Sequence, residues 1–140
     1  MNSWMFYALL SATAAGATAI LAKVGVQGVH SNLATAIRTA VVLVFAWGIV
    51  FTRGESSSLR DLKARTILFL VLSGVATGLS WLAYFKALQL APASRVAAID
   101  KLSLPITVIL AWLTLAEPVS LRLWIGIGLM VAGAAVTVGS

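Results

Sequence analysis

Long apolar stretches with almost no charge alternate with short polar breaks along the whole chain. A helix rises 1.5 Å per residue, so about 20 apolar residues are needed to cross a hydrocarbon layer about 30 Å thick. Five stretches fit that unit: residues 4–26, 31–51, 66–90, 94–116 and 121–138. Residues 52–65 hold Gly54, three serines and six charged side chains, and form the one break polar enough to be a water-facing loop. The other breaks read as tight turns. The predicted fold class is all-α integral membrane: a five-transmembrane-helix bundle in a single domain over residues 1–140, with no low-complexity tail and no internal repeat.

The fourth stretch is the informative one. Its charge-free part, Leu102 to Ala116, spans only about 22 Å as a helix and cannot cross alone. It must take in Arg95 to Lys101, which carries Asp100 about two turns into the span. Pro92 predicts the break before this helix and Pro118 the break after it, with Ser94 as N-cap and Glu117 at the far end. Pro105 removes one backbone hydrogen bond inside the span and predicts a kink.

Composition supports the same class. Hydrophobic residues make up 61% and charged residues 10% of the chain, against at most about half and about one quarter in soluble domains. The formal charge of +6 comes from Lys and Arg scattered without a basic run or an aromatic platform, which argues against a nucleic-acid partner. Cysteine is absent and His30 is the sole histidine, so no disulfide framework or metal set is expected. No phosphate loop, nucleophile–base set or paired acids occur, so neither an enzyme nor a cofactor is expected. No Lys or Arg precedes the first stretch, which runs unbroken from Trp4 to Ala22 and reads as a retained span rather than a cleaved signal.

Five spans place the two ends of the bundle on opposite faces, so the basic residues on each face bear on orientation. Arg53, Arg60, Lys63, Arg65 and Arg122 lie on the N-terminal face; Lys23, Arg38, Lys86, Arg95 and Lys101 lie on the other. Counting the loop alone favours a cytoplasmic N-terminus, whereas the even tally is compatible with insertion both ways.

Helical spacing aligns Tyr7, Ser11 and Thr18 on one face of the first span. It does the same for Ser73, Thr77, Ser80 and Tyr84 in the third and for Asp100, Ser103 and Thr107 in the fourth. Three such stripes could line a shared aqueous cavity; equally, Ser and Thr can bond to their own helix or bind neighbouring helices. Arg38, Lys86, Arg95, Asp100 and Lys101 form an intramembrane charge cluster toward one face. Asp100 is too short to snorkel and is expected to pair with Arg38, Lys86 or Arg95. Trp4, Trp47 and Trp124 read as interface anchors, while Trp81 and Tyr84 sit deep enough to offer ring faces to a substrate or to pack in the core. Gly74 and Gly78, with Gly126, Gly128, Ala132 and Gly133 of the last span, suit close helix packing or a dimer face.

The order of features from Ser80 to Pro118 resembles the signature half of the EamA domain in the drug/metabolite transporter superfamily. The resemblance rests on Trp81, Tyr84, Ala87, Leu88 and Ala91, then Pro105 within the next span, then the closing Ala116–Glu117 pair. The Gly-rich last span also fits, as do Tyr7, Ala8, Lys23 and the Ala36 to Arg38 step. Most EamA proteins carry two inverted domains in one chain, so the resemblance implies that this single domain pairs antiparallel with a second copy or an inversely oriented sister protein. It also implies a substrate path lined by spans one, three and four. Small multidrug members differ: they have four spans and a membrane-embedded Glu in the first. The first span here has no acid, so proton coupling would fall to Asp100 or Glu117, with uncoupled facilitation as the alternative.

The expected function is a secondary transporter that moves a small amphipathic, amino acid-like metabolite across the bacterial inner membrane by alternating access, in the efflux direction. The alternatives are a lipid-linked or sugar-nucleotide flippase, and a non-transporting membrane subunit that stabilises a partner.

Overall fold

The computed structural model describes residues 3–139, and those residues are helical almost throughout, with no strand among them. Helix α1 is Ser3–Gly25 and α2 is Ser31–Thr52. A 3₁₀ helix follows at Glu55–Asp61. Helix α3 is Ala64–Leu90, α4 Ala93–Asp100, α5 Ser103–Leu115 and α6 Leu121–Gly139. The pair α4 and α5 forms one 23-residue span, Ala93–Leu115, so five segments are long and apolar enough to cross a membrane. Large apolar side chains face outward along every span: Leu21 is 72% exposed, Val44 72%, Leu79 65%, Leu115 68% and Leu121 74%. Such a surface needs lipid rather than water around it.

The polar break is less of a loop than its composition suggests. The 3₁₀ helix occupies half of it, and α3 begins at Ala64, two residues earlier than the apolar pattern predicts. Gly54 makes this possible: at φ 68° it turns the chain in the left-handed region, which glycine enters without steric penalty.

By packing, the chain divides into two compact units, Ala22–Gln89 and Met1–Leu21 with Leu90–Ser140. In the second of these, α4 packs on α6, and Val96, Ile127 and Ala134 are buried. Helices α5 and α6 meet through Trp112 and Trp124, whose rings stand edge to face at 6.4 Å and 80°. Trp124 therefore packs on a neighbouring helix.

The fourth span breaks where proline chemistry requires it. Pro105 has no N–H for the carbonyl of Lys101, four residues back. That carbonyl accepts instead from the N–H of Leu104 at 3.1 Å, and the N–H of Leu102 donates to the Ile99 carbonyl at 2.9 Å. Lys101 and Leu102 thus form a tight 3₁₀-like turn that separates α4 from α5. At the start of the span, Pro92, not Ser94, is the N-cap. Its extended backbone (ψ 142°) ends the preceding turn, and its carbonyl accepts from Val96 at 3.1 Å; no side-chain cap bond forms.

The end of α5 is closed by Ala116 at φ 52°, ψ 32°, with the N–H of Glu117 reaching the Ala111 carbonyl at 3.4 Å. This is a helix stop built around a left-handed residue, a position where a Cβ is a steric burden. The backbone here favours glycine, and alanine carries the smallest side chain that bears the strain. Ala116→Gly is expected to raise stability by about 1 kcal/mol, read from denaturant unfolding in detergent micelles. An unchanged midpoint would contradict strain at this corner.

Candidate functional site

The unit Ala22–Gln89 brings charge and aromatic rings together inside the membrane span. On α2, Ser31, Thr35 and Arg38 recur at helical spacing, and these are among its least exposed positions. On α3, Trp81, Phe85 and Leu88 recur in the same way; Phe85 is 3% exposed and Leu88 fully buried. Arg38 joins the two faces. Its guanidinium lies 4.2 Å from the centroid of the Trp81 ring and 5.6 Å from that of Phe85.

Arg38 stands seven residues after the start of α2, about 10 Å along the helix, and Trp81 about 13 Å from the end of α3. A charge at that depth costs about 2.5–3.5 kcal/mol on insertion scales. The two ring faces offset part of this by cation–π attraction. The hydroxyls beneath it are used locally: Thr35 donates to the Ser31 carbonyl at 3.0 Å and Thr39 to the Thr35 carbonyl at 2.8 Å.

The rim of the site is fixed by two side chains that close helix ends. The ammonium of Lys23 donates to the Leu88 carbonyl, one of the last carbonyls of α3 and so without an intrahelical donor. A cation there also complements the negative end of the helix dipole, and α3 has no basic residue in its own last turn. Gln89 Nε2 donates to the Val29 carbonyl at 2.6 Å, tying the turn between α1 and α2 to the end of α3.

Several sequence expectations take a different form. Asp100 does not pair with Arg95. Its ion-pair partner is the next residue, Lys101, at 3.7 Å, with side chains 41% and 56% exposed, and Arg38 is held by rings instead. The reason is local: the turn forced by Pro105 begins directly after Asp100 and brings the two neighbouring side chains together. A pair so exposed is worth at most about 1 kcal/mol. Lys86 and Arg95 are exposed and form no ion pair among the described residues.

Two hydroxyls of the Ser and Thr stripes bond to their own helices. Thr77 donates to the Ser73 carbonyl at 2.9 Å and Thr107 to the Ser103 carbonyl at 2.8 Å. Tyr7 and Ser11 are exposed and Thr18 half-buried, and no hydrogen bond joins them to Asp100, Ser103 or Thr107. Tyr84 is half-buried, its ring edge-on to Phe85 at 6.5 Å. A Cβ added at Gly74, Gly78, Gly126, Gly128 or Gly133 would meet no atom within 4 Å, and Ala132 is exposed. These small residues make no close approach within the chain.

Phe85 and Lys23 are the site residues that sequence reasoning passed over. Phe85 had a signal, since it lies one helical turn beyond Trp81. The bond from Lys23 to the Leu88 carbonyl had none, because it depends on which helix end the ammonium meets.

Comparison with known proteins fits this arrangement of spans. Residues 2–139 match the EamA-like transporter family. The chain belongs to the EamA-like transporter family. Within the drug/metabolite transporter superfamily, a relative from Sinorhizobium sp, described as "Uncharacterized transporter in cobO 3'region", is 49% identical over 133 residues, covering 95% of this chain and 94% of the relative. No solved structure matches the chain.

If the stack holds the charge, removing Arg38 and Trp81 together should cost less than the sum of the single losses. A double-mutant cycle with Arg38→Met and Trp81→Leu is expected to give a coupling of about 0.5–2 kcal/mol, read from unfolding in micelles. Strict additivity would mean that the two side chains are neighbours without interaction.

Proposed function

We propose that this EamA chain is a secondary transporter exporting a small amphipathic, amino acid-like metabolite across a bacterial inner membrane. The observation that carries the reading is Arg38, a cation held within the span on the faces of Trp81 and Phe85, with no carboxylate partner among the described residues. A guanidinium stacked on rings keeps its donor edges free for a planar anion, and a carboxylate with an apolar body supplies both halves of the match. Membership of a transporter family and a relative described as a transporter support the same function.

The stack also changes which substrate the aromatic face suits. A deep Trp by itself invites a cation; Trp81 already holds one, so the charge offered to a ligand there is positive. Alternating access would come from pairing with a second, inverted copy or an inversely oriented sister protein, with the site between the two bundles. The open glycines of α3 and α6 suit such a contact, because small residues let helix backbones approach closely.

Reconstitution into liposomes tests the reading. The protein should accelerate flux of at least one labelled amino acid-like metabolite over empty liposomes. Arg38→Gln should lower that flux about tenfold or more, the loss of one charge-assisted contact, while leaving assembly intact. Flux equal to that of empty liposomes across a broad panel would overturn the proposal.

A further inference from the structure

The segment that joins α2 to α3 carries charges of both signs that do not meet. Arg53, Glu55, Arg60, Asp61, Lys63 and Arg65 all fall within residues 52–65. The ion pair found among the described residues is Asp100 with Lys101, so none of the six is neutralised by another. Arg65 turns instead to the ring of Phe69, 5.8 Å away. Opposite charges this close in sequence commonly pair, and leaving them apart keeps both available to a ligand.

Beside these charges lies an open groove of about 330 Å³, lined by Trp47, Val50, Glu55, Ser58, Leu59 and Leu62. Its walls follow from the local fold. Gly54 turns the chain back at φ 68°, its N–H donating to the Phe51 carbonyl at 3.1 Å, and the 3₁₀ helix packs on the last turns of α2. Phe51 braces Trp47, with ring centroids 5.5 Å apart. The floor is apolar, through Trp47, Val50, Leu59 and Leu62; the polar groups are the Glu55 carboxylate, an acceptor, and the Ser58 hydroxyl, which accepts or donates. Trp47 sits in the last turns of a span, the depth at which a bilayer passes from hydrocarbon to headgroup.

We propose that this groove is a binding site for a phospholipid whose headgroup carries a primary ammonium beside its phosphate. The apolar floor takes the glycerol and upper acyl region. The ammonium, with three N–H donors, reaches Glu55 and Ser58 next to the Trp47 ring. The phosphate is assigned to Arg53 and Arg60, the cations that precede Glu55 and follow Leu59 in the sequence. Charge decides among the lipids of a bilayer. An anionic headgroup without an ammonium could meet Arg53 or Arg60 but would leave Glu55 without a cation. A quaternary choline has the right sign but no N–H to donate. Only the aminophospholipid uses both signs.

Native mass spectrometry of the purified full-length protein tests this, with phosphatidylethanolamine, phosphatidylcholine and phosphatidylglycerol of matched acyl chains added in equal amounts. Phosphatidylethanolamine should be retained about threefold over either competitor, the scale of one exposed ion pair. Glu55→Gln should remove the excess. Asp61→Asn, the same charge change outside the groove, should keep it. Equal retention of the three lipids, preference for phosphatidylglycerol, or an excess that survives Glu55→Gln would each overturn the site. Because the readout is lipid retention, its outcome does not depend on the chain moving a metabolite.

Discussion

Hydrocarbon supplies no hydrogen bonds, so every backbone group and every charge carried into a span must find its partner in protein. Most of this structure consists of responses to that demand. When Pro105 withholds an N–H from the Lys101 carbonyl, Leu104 provides one and the span tightens into a turn. When α3 ends with carbonyls exposed, Lys23 reaches across to Leu88. When Arg38 enters the span without an acid, two ring faces hold it. The three responses have different standing. The first two close a deficit within the chain. The third is made by ring faces alone, with no acid partner among the described residues.

The spans were legible in the sequence because their signal is local. Length, apolarity and the prolines at 92, 105 and 118 located all five helices to within about two residues, the usual uncertainty of helix ends. The break in the fourth span followed from the missing N–H of one residue. Partner choice was not legible. Asp100 was expected to seek a distant cation, yet the turn that Pro105 forces brings it to Lys101. The faces of α2 and α3 could each be drawn from spacing alone, but nothing in either helix says that Arg38 meets Trp81 rather than a carboxylate. The 3₁₀ helix was hidden for another reason: its serines and charges match a loop in composition, and only the left-handed turn at Gly54 folds them back on α2.

Spacing left two readings of the hydroxyls open. Ser and Thr stripes on α3 and α5 look like the wall of an aqueous path, but Thr77 and Thr107 donate to carbonyls of their own helices. In lipid such bonds are the inexpensive solution for a hydroxyl, so a stripe of threonines says less about water than a single arginine does. The charged residue with no acid partner among the described residues is the better guide to function.

We propose that this five-span bundle works as one half of an antiparallel pair, the arrangement that a fused duplicate with an odd number of spans would build within one chain. The absence of cysteine permits a clean measurement. With Ser57→Cys in the segment between α2 and α3, a membrane-impermeant maleimide can be applied to intact cells and then to permeabilised ones. A pair of inverted copies predicts labelling from both faces and a dimer on purification. Labelling from one face alone, in a chain that purifies as a monomer, would contradict it.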